Sequence, residues 1–323
     1  MKAAVLDNQT VSVDVDYPVP EANDDEILVE VVQAGVCDTD LQLIQGYMGF
    51  SGIPGHEFVG VATAGRLAGQ RVVGEINCKC GKCSFCASGM GTHCPQRSVL
   101  GILRHDGAFA EFVAVPEHNL HAVPPTLADD QAVFAEPVAA AFQIPQQTNV
   151  SKADRVVVLG DGRLGNLCAQ VLRLYTNNLV VVGKHPAKLS ILADLGLTTA
   201  PLSEIQLQRD ADIVVDCTGS ETGLATALQL VRPRGRIILK TTVAGKHMLS
   251  LAPIVIDEVT LIGSRCGPFG RALKALSDRE IQVEQLITDR FPLDQIDTAL
   301  KRAAEPDALK VILDVRDVRQ RNQ

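Results

Sequence analysis

The first stretch of the chain alternates apolar and polar positions on a short period. Lys2–Leu6, Thr10–Val15 and Glu26–Val32 each carry this pattern, and Pro18, Pro20 and the cluster Asn23–Asp25 punctuate them as turns. Short strands parted by Gly and Pro continue to about Pro125, interrupted by a cysteine-rich segment at 78–94. This pattern predicts an all-β, barrel-like unit with loop insertions.

The period changes after residue 130. Asp129–Phe142 reads as a helix, and from Arg155 onward strands and helices alternate. The apolar runs Val156–Leu159, Leu179–Val182, Ile213–Val215, Ile237–Leu239 and Val259–Ile262 lack a polar face, as strands covered on both sides do. Between the first two, Leu164, Leu167, Cys168, Val171 and Leu172 recur at helical spacing and mark one buried stripe. A five- or six-strand pattern of this kind predicts an α/β class, with a doubly wound parallel Rossmann sheet following the β-barrel domain. A helix near Asp294–Ala304 and the apolar strand Leu309–Leu313 read as a return to the first domain. The expected organisation is therefore 1–143 with a lobe at 78–95, then 144–270, then a completing segment 271–323. The polar tail RDVRQRNQ reads as a solvated end.

Composition narrows the class of partner. A length of 323 residues with 46% hydrophobic and 21% charged content suits two globular domains, each with its own core. The net charge of −8 argues against a surface built for phosphate backbones or anionic lipid, so neither a nucleic acid nor a membrane is expected. The opening MKAAVLDNQT has no apolar export core, and no stretch approaches a membrane span. A cytoplasmic location follows as the expectation. There, nine cysteines serve as metal ligands or core residues more readily than as disulfides.

The first chemical motif is Gly160-Asp161-Gly162-Arg163-Leu164-Gly165, placed between a strand and an amphipathic helix. Gly160 makes the tight turn, Gly162 lets a pyrophosphate approach the backbone, and Gly165 permits close helix–strand packing. The helix N-terminus offers free N–H groups and a positive dipole end. Asp161, Arg163 and Leu164 are assigned to the same nucleotide site, as are Cys217 and Thr218 after a later strand. The second strand ordinarily ends in an Asp or Glu that accepts from the ribose 2′-OH. Here it is followed by Gly183, Lys184, His185, Pro186, Ala187 and Lys188, with no carboxylate. Lys184 and Lys188 can neutralise a 2′-phosphate, which favours NADP over NAD; the plainer reading is that they flank a helix on the surface.

Cys80, Cys83, Cys86 and Cys94 give C-x2-C-x2-C-x7-C, a spacing that suits a closed, four-sulfur structural zinc. Cys78 is left over, and Cys168, Cys217 and Cys266 read as small core residues. A second group is dispersed: Cys37 in Gly35-Val-Cys-Asp-Thr-Asp40, then Gly55-His56-Glu57, then Glu136-Pro137. These residues offer S, N and O ligands to one open zinc, although spacing alone does not bring them together.

With these motifs in this order, the chain resembles the zinc-containing medium-chain alcohol dehydrogenases over essentially its whole length. It is most similar to the branch carrying Glu136-Pro137, which holds polyol, sugar and threonine dehydrogenases. The resemblance implies a GroES-like catalytic domain, two zincs per chain and hydride transfer between an alcohol or carbonyl substrate and a nicotinamide held beside the metal. It implies that Cys37 and His56 ligate the catalytic zinc. Glu57 and Glu136 match carboxylates that ligate directly, through water, or in alternation. Thr39 matches the hydroxyl that takes the substrate proton, and Asp40 the carboxylate that orients the histidine. A homo-oligomer, dimer or tetramer, is implied as well. Gln42 departs from the pattern where many relatives carry a relay histidine, and the loop Val61–Gly74 is short. Tyr47, Met48 and Phe50 stand where relatives line the substrate entrance. A non-catalytic NADP-binding sensor on the same fold would be expected to lack Thr39 or the ligands of the catalytic zinc. A zinc-free quinone reductase would carry neither the cysteine lobe nor Cys37 with His56.

Overall fold

The computed structural model describes residues 1–240 and 250–316; the tail from residue 317 on lies outside them. The chain forms two compact units. The first takes Met1–Glu136 and resumes at Phe269, and the second is Pro137–Pro268.

The first unit opens with the hairpin β1 (Ala3–Asp7) and β2 (Thr10–Asp14), paired antiparallel. The long strand β3 (Glu26–Gly35) follows, then helix α1 (Asp38–Ile44) and strands β4 (Glu57–Ala62) and β5 (Arg71–Gly74). The cysteine lobe lies between two short strands, β6 (Asn77–Cys78) and β7 (Ser98–Val99), and contains one helical turn, α2 (Ser84–Ala87). Strands β8 (Phe112–Pro116) and β9 (Leu120–Ala122) complete this stretch. Two helices then follow, α3 (Asp129–Ala132) and α4 (Ala135–Gln147).

The expected helix Asp129–Phe142 is thus broken at Val133 and Phe134, both buried. The restart at Ala135 puts Pro137 in the first turn of α4, where its missing N–H has no helical partner to lose.

Among the described residues, the second unit holds a six-stranded sheet. Its strands are β10 (Val156–Leu159), β11 (Leu179–Gly183), β12 (Thr198–Pro201), β13 (Ala211–Asp216), β14 (Val231–Leu239) and β15 (Thr260–Gly263). They run in the order β12-β11-β10-β13-β14-β15, and every pair is parallel. This is the doubly wound arrangement with the strand order reversing beside β10. Its helices include α5 (Arg163–Arg173), α6 (Pro186–Asp194), α7 (Gly223–Leu230) and α8 (Ala252–Ile256). The apolar runs of the sequence supply five strands. The sixth, β12, reads Thr-Thr-Ala-Pro because it pairs on one side only and stays partly exposed.

The chain then returns to the first unit through α9 (Phe269–Ser277), β16 (Ile287–Pro292), α10 (Ile296–Ala303) and β17 (Lys310–Asp314). There β17 lies antiparallel to β3 and parallel to β16, so the last strand among the described residues joins a sheet begun by the third. Strand β3 also pairs with β4 and β8. No helix among the described residues is long and apolar enough to cross a membrane.

Candidate metal and nucleotide sites

Two chain segments supply the ligand atoms of the first site. Cys37 precedes α1 as its N-cap, in extended backbone, and Asp40 stands three residues on. The Asp40 carboxylate accepts the Cys37 N–H at 2.8 Å, one of the donors a helix start otherwise leaves unsatisfied. Its other oxygen lies 3.4 Å from His56 Nδ1, an ion-pair distance rather than a close hydrogen bond. One side chain thus fixes both the turn that presents Cys37 and the orientation of the His56 ring. Burial alone pulls the His56 pKa down, but the Asp40 carboxylate outweighs it and holds the ring well above the usual imidazole range.

His56 enters β4 from Gly55, whose φ of +97° suits glycine, and a Cβ there would meet the Phe109 ring at 2.3 Å. The register of β3 and β4 sets Gly35 opposite Glu57. A Cβ on Gly35 would lie 2.7 Å from Glu57 Oε2, so the glycine makes room for that carboxylate. One ligand atom each of Cys37, His56 and Glu57 lies within 4.8 Å of the others, and His56 and Glu57 are buried. A sulfur, a nitrogen and a carboxylate oxygen at this separation fit a single zinc with a position left over. Thr39 Oγ1 is 3.9 Å from Cys37 Sγ. Glu136, partly buried in the first turn of α4, is not among the three gathered here. Met48 is half exposed, and Tyr47 and Phe50 are partly buried.

Sequence reasoning passed over Lys310. The run Leu309–Leu313 reads as an apolar strand, yet the Lys310 side chain is 1% exposed. Its Nζ is paired with Glu57 Oε2, donates to the Val36 carbonyl at 3.3 Å, and lies 5.5 Å from the centre of the Phe134 ring. A lone lysine within an otherwise apolar strand is the signal that marks it, since a buried ammonium requires a partner.

The four lobe cysteines converge independently of that group. Their sulfurs lie 3.5 Å apart for Cys83–Cys86 and Cys80–Cys94, 3.7 Å for Cys83–Cys94 and 3.9 Å for Cys80–Cys86. Tetrahedral zinc with bonds of about 2.3 Å spaces its sulfurs about 3.8 Å apart, so the set fits that ion. The backbone N–H groups of Lys82 and Cys83 point at the Cys80 sulfur and bring its pKa to about 6, ready to ligate as a thiolate. All nine cysteines are free. Cys78 and Cys168 are buried, whereas Cys217 and Cys266 are only partly so.

In the second unit the glycine loop joins β10 to α5. A Cβ on Gly160 would lie 2.6 Å from the Cys217 carbonyl oxygen, and one on Gly165 would lie 2.0 Å from the Gly160 oxygen. A Cβ on Gly162 would meet nothing within 4 Å. Two glycines therefore serve packing and the third faces open space, beside a helix start that carries no side-chain cap. That is a fit for a pyrophosphate. Arg163 and Leu164 open α5, and Thr218 donates its hydroxyl to Asp216 at 2.8 Å. Lys184 and His185 are exposed, and Lys188 is partly buried near the start of α6. Asp161 is buried and accepts the backbone N–H groups of Lys184 at 2.7 Å and His185 at 2.6 Å.

Comparison with known proteins decides the family. The family model described as Alcohol dehydrogenase GroES-like domain matches residues 23–125, and that described as Glucose dehydrogenase C-terminus matches residues 131–315. The chain belongs to the zinc-containing medium-chain alcohol dehydrogenases. It is thus an oxidoreductase of the alcohol and polyol dehydrogenase family, acting on a small molecule. This family member is 27% identical to a sorbitol dehydrogenase of Halalkalibacterium halodurans, over 92% of this chain and 93% of the relative. It is 26% identical to a D-arabitol-phosphate dehydrogenase of Enterococcus avium, over 93% of both chains. Among solved structures, a zinc-binding dehydrogenase of Sinorhizobium meliloti bound to NADP superposes with a TM-score of 0.88 at 25% identity, covering 97% of this chain and 99% of the other. An alcohol dehydrogenase of Escherichia coli complexed with NADH gives a TM-score of 0.89 at 26% identity, covering 98% and 99%.

Proposed function

We propose that the chain is a zinc-dependent dehydrogenase that transfers a hydride between an alcohol or polyol, or the matching carbonyl compound, and a nicotinamide dinucleotide. The observation that carries this reading is the gathering of Cys37, His56 and Glu57 ligand atoms within 4.8 Å of one another. Bound there, zinc supplies Lewis acidity that lowers the pKa of the substrate hydroxyl, and the nicotinamide supplies the hydride acceptor. Cys37, His56 and Glu57 would hold that ion, with Glu136 the further carboxylate the family resemblance offers. Thr39, close to Cys37, would receive the proton released by the substrate, and Asp40 keeps the His56 ring from turning. Cys80, Cys83, Cys86 and Cys94 would close around a second, structural zinc.

The glycine loop would hold the dinucleotide. The preference for NADP expected from Lys184 and Lys188 rests on a missing carboxylate, and Asp161 brings one to that place. A homo-oligomer is supported by exposed apolar groups of the second unit. Leu251, Val255 and Ile256 at α8 are 64%, 74% and 77% exposed, next in sequence to the edge strand β15.

The test is zinc content together with a panel of alcohols, polyols and sugars, assayed with NAD and NADP in parallel. Two zincs per chain and turnover of at least one alcohol are expected. A single zinc, or no dinucleotide-linked turnover across the panel, overturns the reading. A Cys94→Ser variant is expected to lose one zinc and to destabilise the fold by several kcal/mol, about the scale at which structural zinc sites contribute. Unchanged metal content and thermal stability would remove the structural-zinc assignment.

A further inference from the structure

Gly183 is the last residue of β11, where a dinucleotide-binding fold ordinarily carries the acid that accepts from the ribose. It has no side chain, yet its place holds a carboxylate. A Cβ on Gly183 would lie 2.3 Å from Asp161 Oδ2. That carboxylate arrives from the glycine loop, between Gly160 and Gly162, and Asp161 is 6% exposed. The N–H groups of Lys184 and His185 and the His185 Nδ1, 3.0 Å from Oδ1, pin it in place. Burial by itself pushes the Asp161 carboxyl up, but the hydrogen bonds from His185 and Lys184 more than offset this, so it stays charged at neutral pH. Two carboxylate oxygens offer about four acceptor positions, and three neighbouring donors leave one of them for a ligand.

We propose that Asp161 reads the adenosine ribose in place of the strand-end acid, and that the chain therefore selects NAD(H) over NADP(H). The carboxylate has been moved rather than lost, and Gly183 is the vacancy that admits it. A fixed negative charge at this place accepts from a 2′-OH and repels a 2′-phosphate. It cannot swing aside, because two backbone N–H groups hold it. Of the two lysines expected to favour a phosphate, Lys188 is already engaged in an interaction of its own, and Lys184 gives its backbone N–H to Asp161. His185 is bound to Asp161 itself. The inference rests on the glycine loop being a nucleotide site.

The test is direct binding of NADH and NADPH to the full-length, zinc-loaded protein. Nicotinamide fluorescence is followed, and the chain has no Trp to complicate the signal. NADH is expected to bind tighter by about tenfold or more, the scale of a like-charge mismatch. Asp161→Asn should bring the two dissociation constants close together or invert them. The double variant Asp161→Gly/Gly183→Asp, which clears the Asp161 Cβ that would lie 2.5 Å from a Cβ at 183 and returns the acid to the strand end, should restore the preference for NADH. Tighter NADPH binding by the unmodified protein overturns the inference, as does an NADH/NADPH ratio that Asp161→Asn leaves unmoved. If neither nucleotide binds, the nucleotide site itself is refuted. If both bind with the wrong ratio, only the role of Asp161 falls.

Discussion

Replacing Cys37 with serine is expected to lower turnover on the order of 10³-fold or more and to remove one zinc per chain. A metal acting on substrate oxygen contributes several kcal/mol to the transition state, and each factor of ten in rate is about 1.4 kcal/mol. Serine keeps the size and the N-cap position before α1, so the Asp40 carboxylate still finds the same backbone N–H and the helix keeps its start. Loss of activity with the circular dichroism spectrum retained, and with the lobe zinc still bound, places the defect at the metal. Full activity in this variant would remove the proposed mechanism altogether.

The second large effect is expected far from Cys37 in the sequence. In zinc-free protein, where no metal shares Glu57, Lys310→Met removes the ammonium that faces this carboxylate and leaves a group that is 1% exposed without its ion-pair partner. Breaking a buried pair from one side costs about 3–5 kcal/mol, because the remaining charge stays desolvated. Urea unfolding of the first unit should therefore move to lower denaturant. The double variant Glu57→Leu/Lys310→Met should recover most of the loss, since two apolar groups leave no orphan charge. A Lys310→Met protein as stable as the parent would mean that water reaches Glu57, contrary to its burial.

What the sequence makes legible follows how locally each feature is encoded. The glycine loop and the lobe cysteines are each written within a few turns of chain, and their spacing carries the chemistry directly. Cys37, His56 and Glu57 are different. They meet because β3 pairs with β4 in a register that sets Gly35 against Glu57, and register is not visible in apolar periodicity. Family resemblance named these residues; pairing geometry explains them. Lys310 escaped because one charged residue in an apolar run resembles noise until its partner is known. Asp161 was counted with the loop, but its reach to β11 depends on a parallel pairing between β10 and β11. Strand β12 was missed for a simpler reason: an edge strand has little to bury, so it has little pattern.

The pairing of Glu57 with Lys310 joins residues 253 positions apart, with the whole second unit encoded between them. This imposes an order on synthesis. A chain emerging from the ribosome presents β3 and β4 early, carrying a carboxylate whose counter-charge has not yet been translated. The second unit is contiguous and is made whole before that counter-charge appears, and it holds its own sheet without help from the termini. The first unit can close only when β17 arrives, so the ion pair that holds Glu57 is finished last although Cys37, His56 and Glu57 are all made first. Contacts of such long range are also the slow ones in refolding, because loop closure precedes any reward. Folding of this dehydrogenase should thus proceed from the middle of its gene outward.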